Sequence, residues 1–135
     1  MAVTLNITGS PAALSQVIVP WSQGMNVQQL LESAYNQVQD ASRFAYGLQF
    51  FGSYQAEPLG YMVTMVDGVS DLPSEAVYWA LLVNDQYSQF GIDLTILQDG
   101  DVVTLNNESY VPSTHAGTHL QAKHEALQGA RGKRP

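Results

Sequence analysis

At 135 residues, 45% of them hydrophobic and only 13% charged, the chain suits one domain with a modest core. Its formal charge of −7 is unevenly spread: residues 1–122 carry eleven acids against the single base Arg43, while Lys123, Arg131, Lys133 and Arg134 face only Glu125 at the C-terminus. An acidic body repels nucleic acid and anionic membranes, and the lack of cysteine excludes disulfides, iron–sulfur clusters and thiol catalysis. The longest apolar run, Ala76–Val83, is too short to span a bilayer, so no membrane insertion is expected. The N-terminus has neither the basic start nor the apolar stretch of a signal peptide. A surface of Gln, Asn, Ser, Thr and Tyr in place of charge points to an extracellular or cell-surface setting.

In chain order, Val3, Leu5 and Ile7 alternate with Thr4, Asn6 and Thr8, the pattern of a half-buried strand. Gly9-Ser10-Pro11 breaks it, and Leu14–Val19 reads as a second strand, making an N-terminal hairpin. Val27, Leu30, Leu31, Ala34, Tyr35 and Val38 then mark one continuous helix face. Asn26 and Gln29 stand where a capping box needs them. Phe44, Tyr46, Leu48 and Phe50 alternate as a third strand, and Gly52–Gly60 is a turn-rich connection holding Tyr54. Tyr61–Val66 is a fourth strand closed by Asp67-Gly68. Val77–Val83 is an apolar fifth strand, followed by a polar loop, Asn84–Gly91. Leu94–Leu97 and Val102–Leu105 flank Gln98-Asp-Gly-Asp101 as a final hairpin or short crossover.

The layout is therefore α+β: an opening hairpin, one helix, then three to five strands. One helix packed on a mixed β-sheet in that order is the β-grasp arrangement, a ubiquitin-like roll. The domain is expected over residues 1–112. From Ser113 to Pro135 aromatics vanish and the charge turns basic, so this stretch reads as a flexible tail that could dock electrostatically on the acidic body of the same or another copy, giving a homo-oligomer.

Chemistry-bearing motifs are weak. His115, His119 and His124 all lie in the tail; Gly117 weakens any helix that would pair the first two on a metal, so no metal site is assigned. Asp99-Gly100-Asp101 lacks the further oxygen ligands of a calcium loop and reads as a turn. The chain lacks the C-terminal Gly-Gly of sulfur carriers and ubiquitin-like modifiers, ending Gly132-Lys-Arg-Pro135. No Ser sits in a nucleophile elbow, and no carboxylate pair falls in an apolar setting, so no catalytic residue is assigned and the chain is read as a non-enzyme. Phe44, Tyr46, Phe50, Tyr61, Trp79 and Tyr35 fall on expected core faces. Tyr54, Tyr87 and Phe90 sit in polar loops that the core periodicity does not demand, and such aromatics mark contact surfaces.

Residues 60–103 carry a more specific pattern: Gly60-Tyr-Met-Val-Thr-Met-Val-Asp-Gly-Val69, then Tyr78-Trp-Ala-Leu-Leu-Val-Asn84, then Gly91-Ile-Asp-Leu-Thr-Ile-Leu-Gln-Asp-Gly-Asp-Val-Val103. Their order and spacing resemble the transcobalamin C-terminal-like family of β-grasp modules, of the DUF4430 type. The resemblance implies a non-catalytic small-ligand-binding module, with strand ends and the loop after the Trp strand lining the ligand face. Carried onto this sequence, those positions are Trp79, Tyr87 and Phe90, with Tyr54 alongside; for Trp79, core packing outranks ligand contact. Two departures stand out: Asn84-Asp85 replaces the family's Asn-Gly, and Leu105-Asn-Asn-Glu108 replaces an aromatic pair. The helical barrel that holds the other side of the corrinoid in B12 carriers is missing from this chain. A cobalamin-like ligand, another small molecule or a protein partner are therefore the expected occupants. The alternative is a structural role, as a self-assembling surface or filament subunit whose exposed strands pair with neighbours.

Overall fold

The structure, a computed structural model, describes residues 1–9, 15–51, 60–72, 75–88, 90–111 and 123. The elements named among the described residues are, in order, β1 (Ala2–Thr8), β2 (Gln16–Pro20), α1 (Val27–Val38), β3 (Tyr46–Phe51), β4 (Gly60–Val66), β5 (Val69–Ser70), β6 (Val77–Val83), β7 (Gln86–Tyr87) and β8 (Val102–Ser109). They build a five-stranded sheet ordered β2-β1-β8-β6-β7 and a three-stranded sheet ordered β3-β4-β5. Central strands β1 and β8 run parallel, and the other pairs are antiparallel. This is the expected mixed-sheet β-grasp, with its sheet divided in two.

The opening hairpin forms in the register Val3↔Val19 and Leu5↔Val17, its second strand running from Gln16 to Pro20 rather than Leu14 to Val19; Leu14 lies outside the described residues. Val3, Leu5, Ile7, Val17 and Val19 all point into the core, where they meet Val27, Leu30, Leu31 and Ala34 of α1 and Trp79, Leu81, Val103 and Leu105 of β6 and β8. Asn26 and Gln29 close the capping box, each side chain accepting from the other's backbone N–H.

Leu94–Leu97 is not a strand, contrary to the expectation. This segment serves the helix start instead. Val27 N–H donates to Thr95 O, Gln28 N–H to Ile92 O, and Leu97 N–H to Met25 O. The orphan donors of a helix's first turn need acceptors, and this loop supplies two of them. Gln98–Asp101 is a turn: Gln98 N–H donates to Asp101 Oδ2 at 2.7 Å, and Ala2 N–H to Asp99 Oδ1 at 3.0 Å. These carboxylates thus hold backbone amides. The turn at Asn84-Asp85 has positive φ at both residues (51° and 67°), the conformation that favours Asn-Gly in a two-residue hairpin.

The two sheets meet along a seam between β4 and β6. On the stretch of β4 that the two-residue β5 leaves uncovered, Tyr61 O accepts from Ile92 N–H. Val63 O accepts from Lys123 Nζ at 3.0 Å, and Trp79 O of β6 lies 3.5 Å from the same nitrogen. Asp71 completes the cluster. Its Oδ1 accepts from Trp79 N–H at 2.8 Å, and Lys123 Nζ stands 2.6 Å from its Oδ2. Lys123 is fully buried and lies 5.7 Å from the centre of the Tyr78 ring. The sequence reading put Lys123 in a solvated tail; at this one position it is instead a core residue. The reason is that two sheet edges cannot be buried with bare carbonyls, and the lysine nitrogen supplies the donors. The His residues and the rest of the basic stretch lie outside the described residues.

Candidate binding site

The four aromatics singled out from sequence separate in the structure. Tyr54 lies outside the described residues. Trp79 is 2% exposed, and its indole N–H donates to Val69 O at 2.8 Å. It packs between the sheets, as the area a buried Trp removes from water favours. Tyr87 is half-buried on β7 and donates its hydroxyl to Glu108 Oε1 at 2.5 Å. Burial first, and then Glu108, push its phenol up to about 12. Phe90 is 57% exposed, the most open aromatic ring among the described residues.

Two further aromatics are exposed that the sequence reading placed in the core. Phe50 and Tyr61, assigned to core faces, are 46% and 41% exposed. They face each other across the β3–β4 ladder with ring centres 5.2 Å apart, edge to face. Tyr35 is likewise exposed rather than buried, meeting Tyr46 edge to face at 6.4 Å. The register irregularity opposite Gly47 and Leu48 leaves one extra residue, Thr64, in β4. Period-two patterning therefore breaks along β4, where Met62 and Val63 are both buried and Tyr61 faces out with its cross-strand partner Phe50.

The loop after Phe90 is fastened to the Phe50–Tyr61 end. Tyr61 N–H donates to Asp93 Oδ1 at 2.8 Å, and Ile92 N–H donates to Tyr61 O at 2.8 Å. Gly60 makes the approach possible: at φ +98°, a Cβ there would lie 2.6 Å from Asp93 Oδ1 and 3.2 Å from Gly91 Cα. Ser88 Oγ, Thr95 Oγ1 and the carbonyls of Phe90 and Gly91 brace the loop from within. Leu94 and Ile96 are also exposed on it, at the foot of the helix. The result is a set of exposed apolar and aromatic side chains on braced supports.

The structure also has two shallow grooves. One of about 400 Å³ is lined by Tyr35, Ala45, Tyr46 and Leu48, and one of about 390 Å³ by β2, the end of α1 and Arg43. No group of three or more His, Cys, Asp or Glu side chains among the described residues could hold a metal ion.

Comparison with known proteins locates the chain. Residues 24–109 match the model of a domain of unknown function, DUF4430. The fold matches haptocorrin, solved in complex with Cbi, with a TM-score of 0.65 and 16% identity over 82% of this chain and 25% of haptocorrin. It also matches a protein of Ruminococcus gnavus named for a suspected metal-binding role, with a TM-score of 0.54 and 17% identity over 82% of this chain and 98% of that one. No curated protein matches the chain by sequence.

Proposed function

The chain belongs to the DUF4430 family, and from that premise we propose that it is a non-catalytic binding module, extracellular or at the cell surface, whose ligand docks on the end formed by Phe50, Tyr61 and Phe90. The observation that carries this reading is the exposure of these three rings beside a loop tied to the Tyr61 backbone. Exposed rings on a braced support lose little freedom on binding and offer flat apolar area. The partner they fit has a flat apolar face. The acidic body disfavours an anion, so the partner is neutral or cationic. A corrinoid meets the shape requirement, and the fold shared with haptocorrin makes a cobalamin-like ligand the first to try.

The test is equilibrium dialysis against cobalamin, together with native mass spectrometry of protein purified from its source to find any retained ligand. Tyr61→Ser and Phe90→Ser should each weaken binding about tenfold, the loss of one ring contact. Unchanged affinity in both variants would remove this surface from the reading. If cobalamin does not bind but another retained molecule is released by the same substitutions, only the ligand class changes.

A second reading, a self-assembling surface or filament subunit, is favoured by β2 and β3 standing at the ends of their sheets. Edge strands template pairing between chains. Gln37 Nε2 caps one β2 carbonyl, Ile18 O, at 3.0 Å, which leaves β3 as the better donor edge. Size-exclusion chromatography over a range of concentrations separates the two: a monomer favours ligand binding and polymers favour assembly.

A further inference from the structure

Lys123 and Asp71 are placed as reactants as well as opposite charges. Their side chains are 0% and 7% exposed, and Nζ lies 2.6 Å from Oδ2. Among the described residues Oδ2 faces no polar partner besides this nitrogen. Two backbone carbonyls, Val63 O and Trp79 O, take hydrogens from the nitrogen at 3.0 and 3.5 Å. Val63 O and Trp79 O take two of the three outward directions of the nitrogen and Asp71 Oδ2 the third, so in its neutral form the amine would aim its lone pair at the carboxyl. The other carboxyl oxygen, Oδ1, receives the Trp79 N–H at 2.8 Å.

We propose that Lys123 and Asp71 condense into an intramolecular amide that locks the C-terminal segment across the seam between the two sheets. The Nζ lone pair attacks Cγ of the un-ionised Asp71 carboxyl. Negative charge develops on Oδ1, where the Trp79 N–H stabilises it as an oxyanion donor does. Oδ2 then departs as water, carrying the acid proton and one proton from Nζ, while the C–N bond forms. Nothing is oxidised or reduced, and no co-reactant is needed. Burial works in the same direction: it raises Asp71 and lowers Lys123, against the opposing pull of each on the other. Holding both groups in contact in a seam closed to solvent makes the reaction intramolecular and lets the water leave.

The test is the intact mass of the full chain, measured under denaturing conditions after the folded protein has stood overnight. The expected mass is one water below the sequence mass, and Lys123→Arg, which keeps the charge without the nucleophile, should show the full mass. Arg43 and Lys123 are successive basic residues, so trypsin normally releases residues 44–123. An acylated Lys123 is not cut, and the peptide should run on to Arg131. Cleavage after Glu75 and Glu108 should then leave the Asp71 and Lys123 fragments joined. A wild-type chain at full sequence mass overturns the proposal, whatever the variants do. So does a chain that has lost water but is still cut after Lys123, because an aspartate has then cyclised on its own.

Discussion

Tyr87 shows how one side chain ties surface chemistry to stability. Its hydroxyl is bound to Glu108, and its pKa is raised from 10.0 to about 12. The folded state therefore holds this proton more tightly than the unfolded chain. The stability it contributes is complete below about pH 10 and is lost as pH rises through about 12. Denaturant unfolding at a series of alkaline pH values should show wild type losing stability in this window and Tyr87→Phe losing less. Equal slopes would mean that Glu108 does not hold the phenolic proton. The sequence reading put Tyr87 in a loop, whereas it lies on the short strand β7. Its partner was not legible in the sequence, because Glu108 is 21 residues away and meets it only when β6, β7 and β8 align.

At the scale of elements, α1 is the part the sequence describes best. Its start, its end and its capping box match the reading, because all three depend on neighbours within a few residues. Leu31 is fully buried and Glu32 exposed. Leu31→Asp should abolish cooperative folding, since an unpaired buried charge costs several kcal/mol, on the order of the whole stability of a small domain. Glu32→Ala should shift the midpoint by less than about 0.5 kcal/mol. Thermal unfolding followed by circular dichroism reads both, and a folded Leu31→Asp protein would contradict the packing of this face. The segment 91–97 shows the opposite case. Its apolar residues resemble a strand, yet its hydrogen bonds go to the helix start and to Tyr61. Only the position of α1 against β4 makes that assignment.

For the whole molecule, the consequential contact is Lys123 in the seam. The sequence reading made residues 113–135 dispensable for the fold. Deleting them removes the donor for Val63 O and Trp79 O and the partner of Asp71. Each buried polar group left without its partner costs on the order of 1–3 kcal/mol. The truncated chain should therefore melt well below wild type, and Asp71→Leu in the truncated chain should recover part of the loss by removing the orphaned carboxyl group. An unchanged melting temperature on truncation would show that the seam closes without Lys123.

The sequence by itself determined the α+β class, the opening hairpin, the helix with its cap, the turns at Asp67-Gly68 and Asp99–Asp101, and the family to which residues 60–103 point. Each rests on periodicity, local turn chemistry or fixed short spacing, all readable without knowing what packs on what. Only the tertiary structure decided that the sheet divides, that Phe50 and Tyr61 face solvent beside Phe90, and that a lysine from the basic C-terminal stretch is buried. The physical reason is common to all three. Burial depends on which strand edges meet and what covers them, and residues 63, 71, 79 and 123 come together through β-sheet geometry rather than through any spacing along the chain.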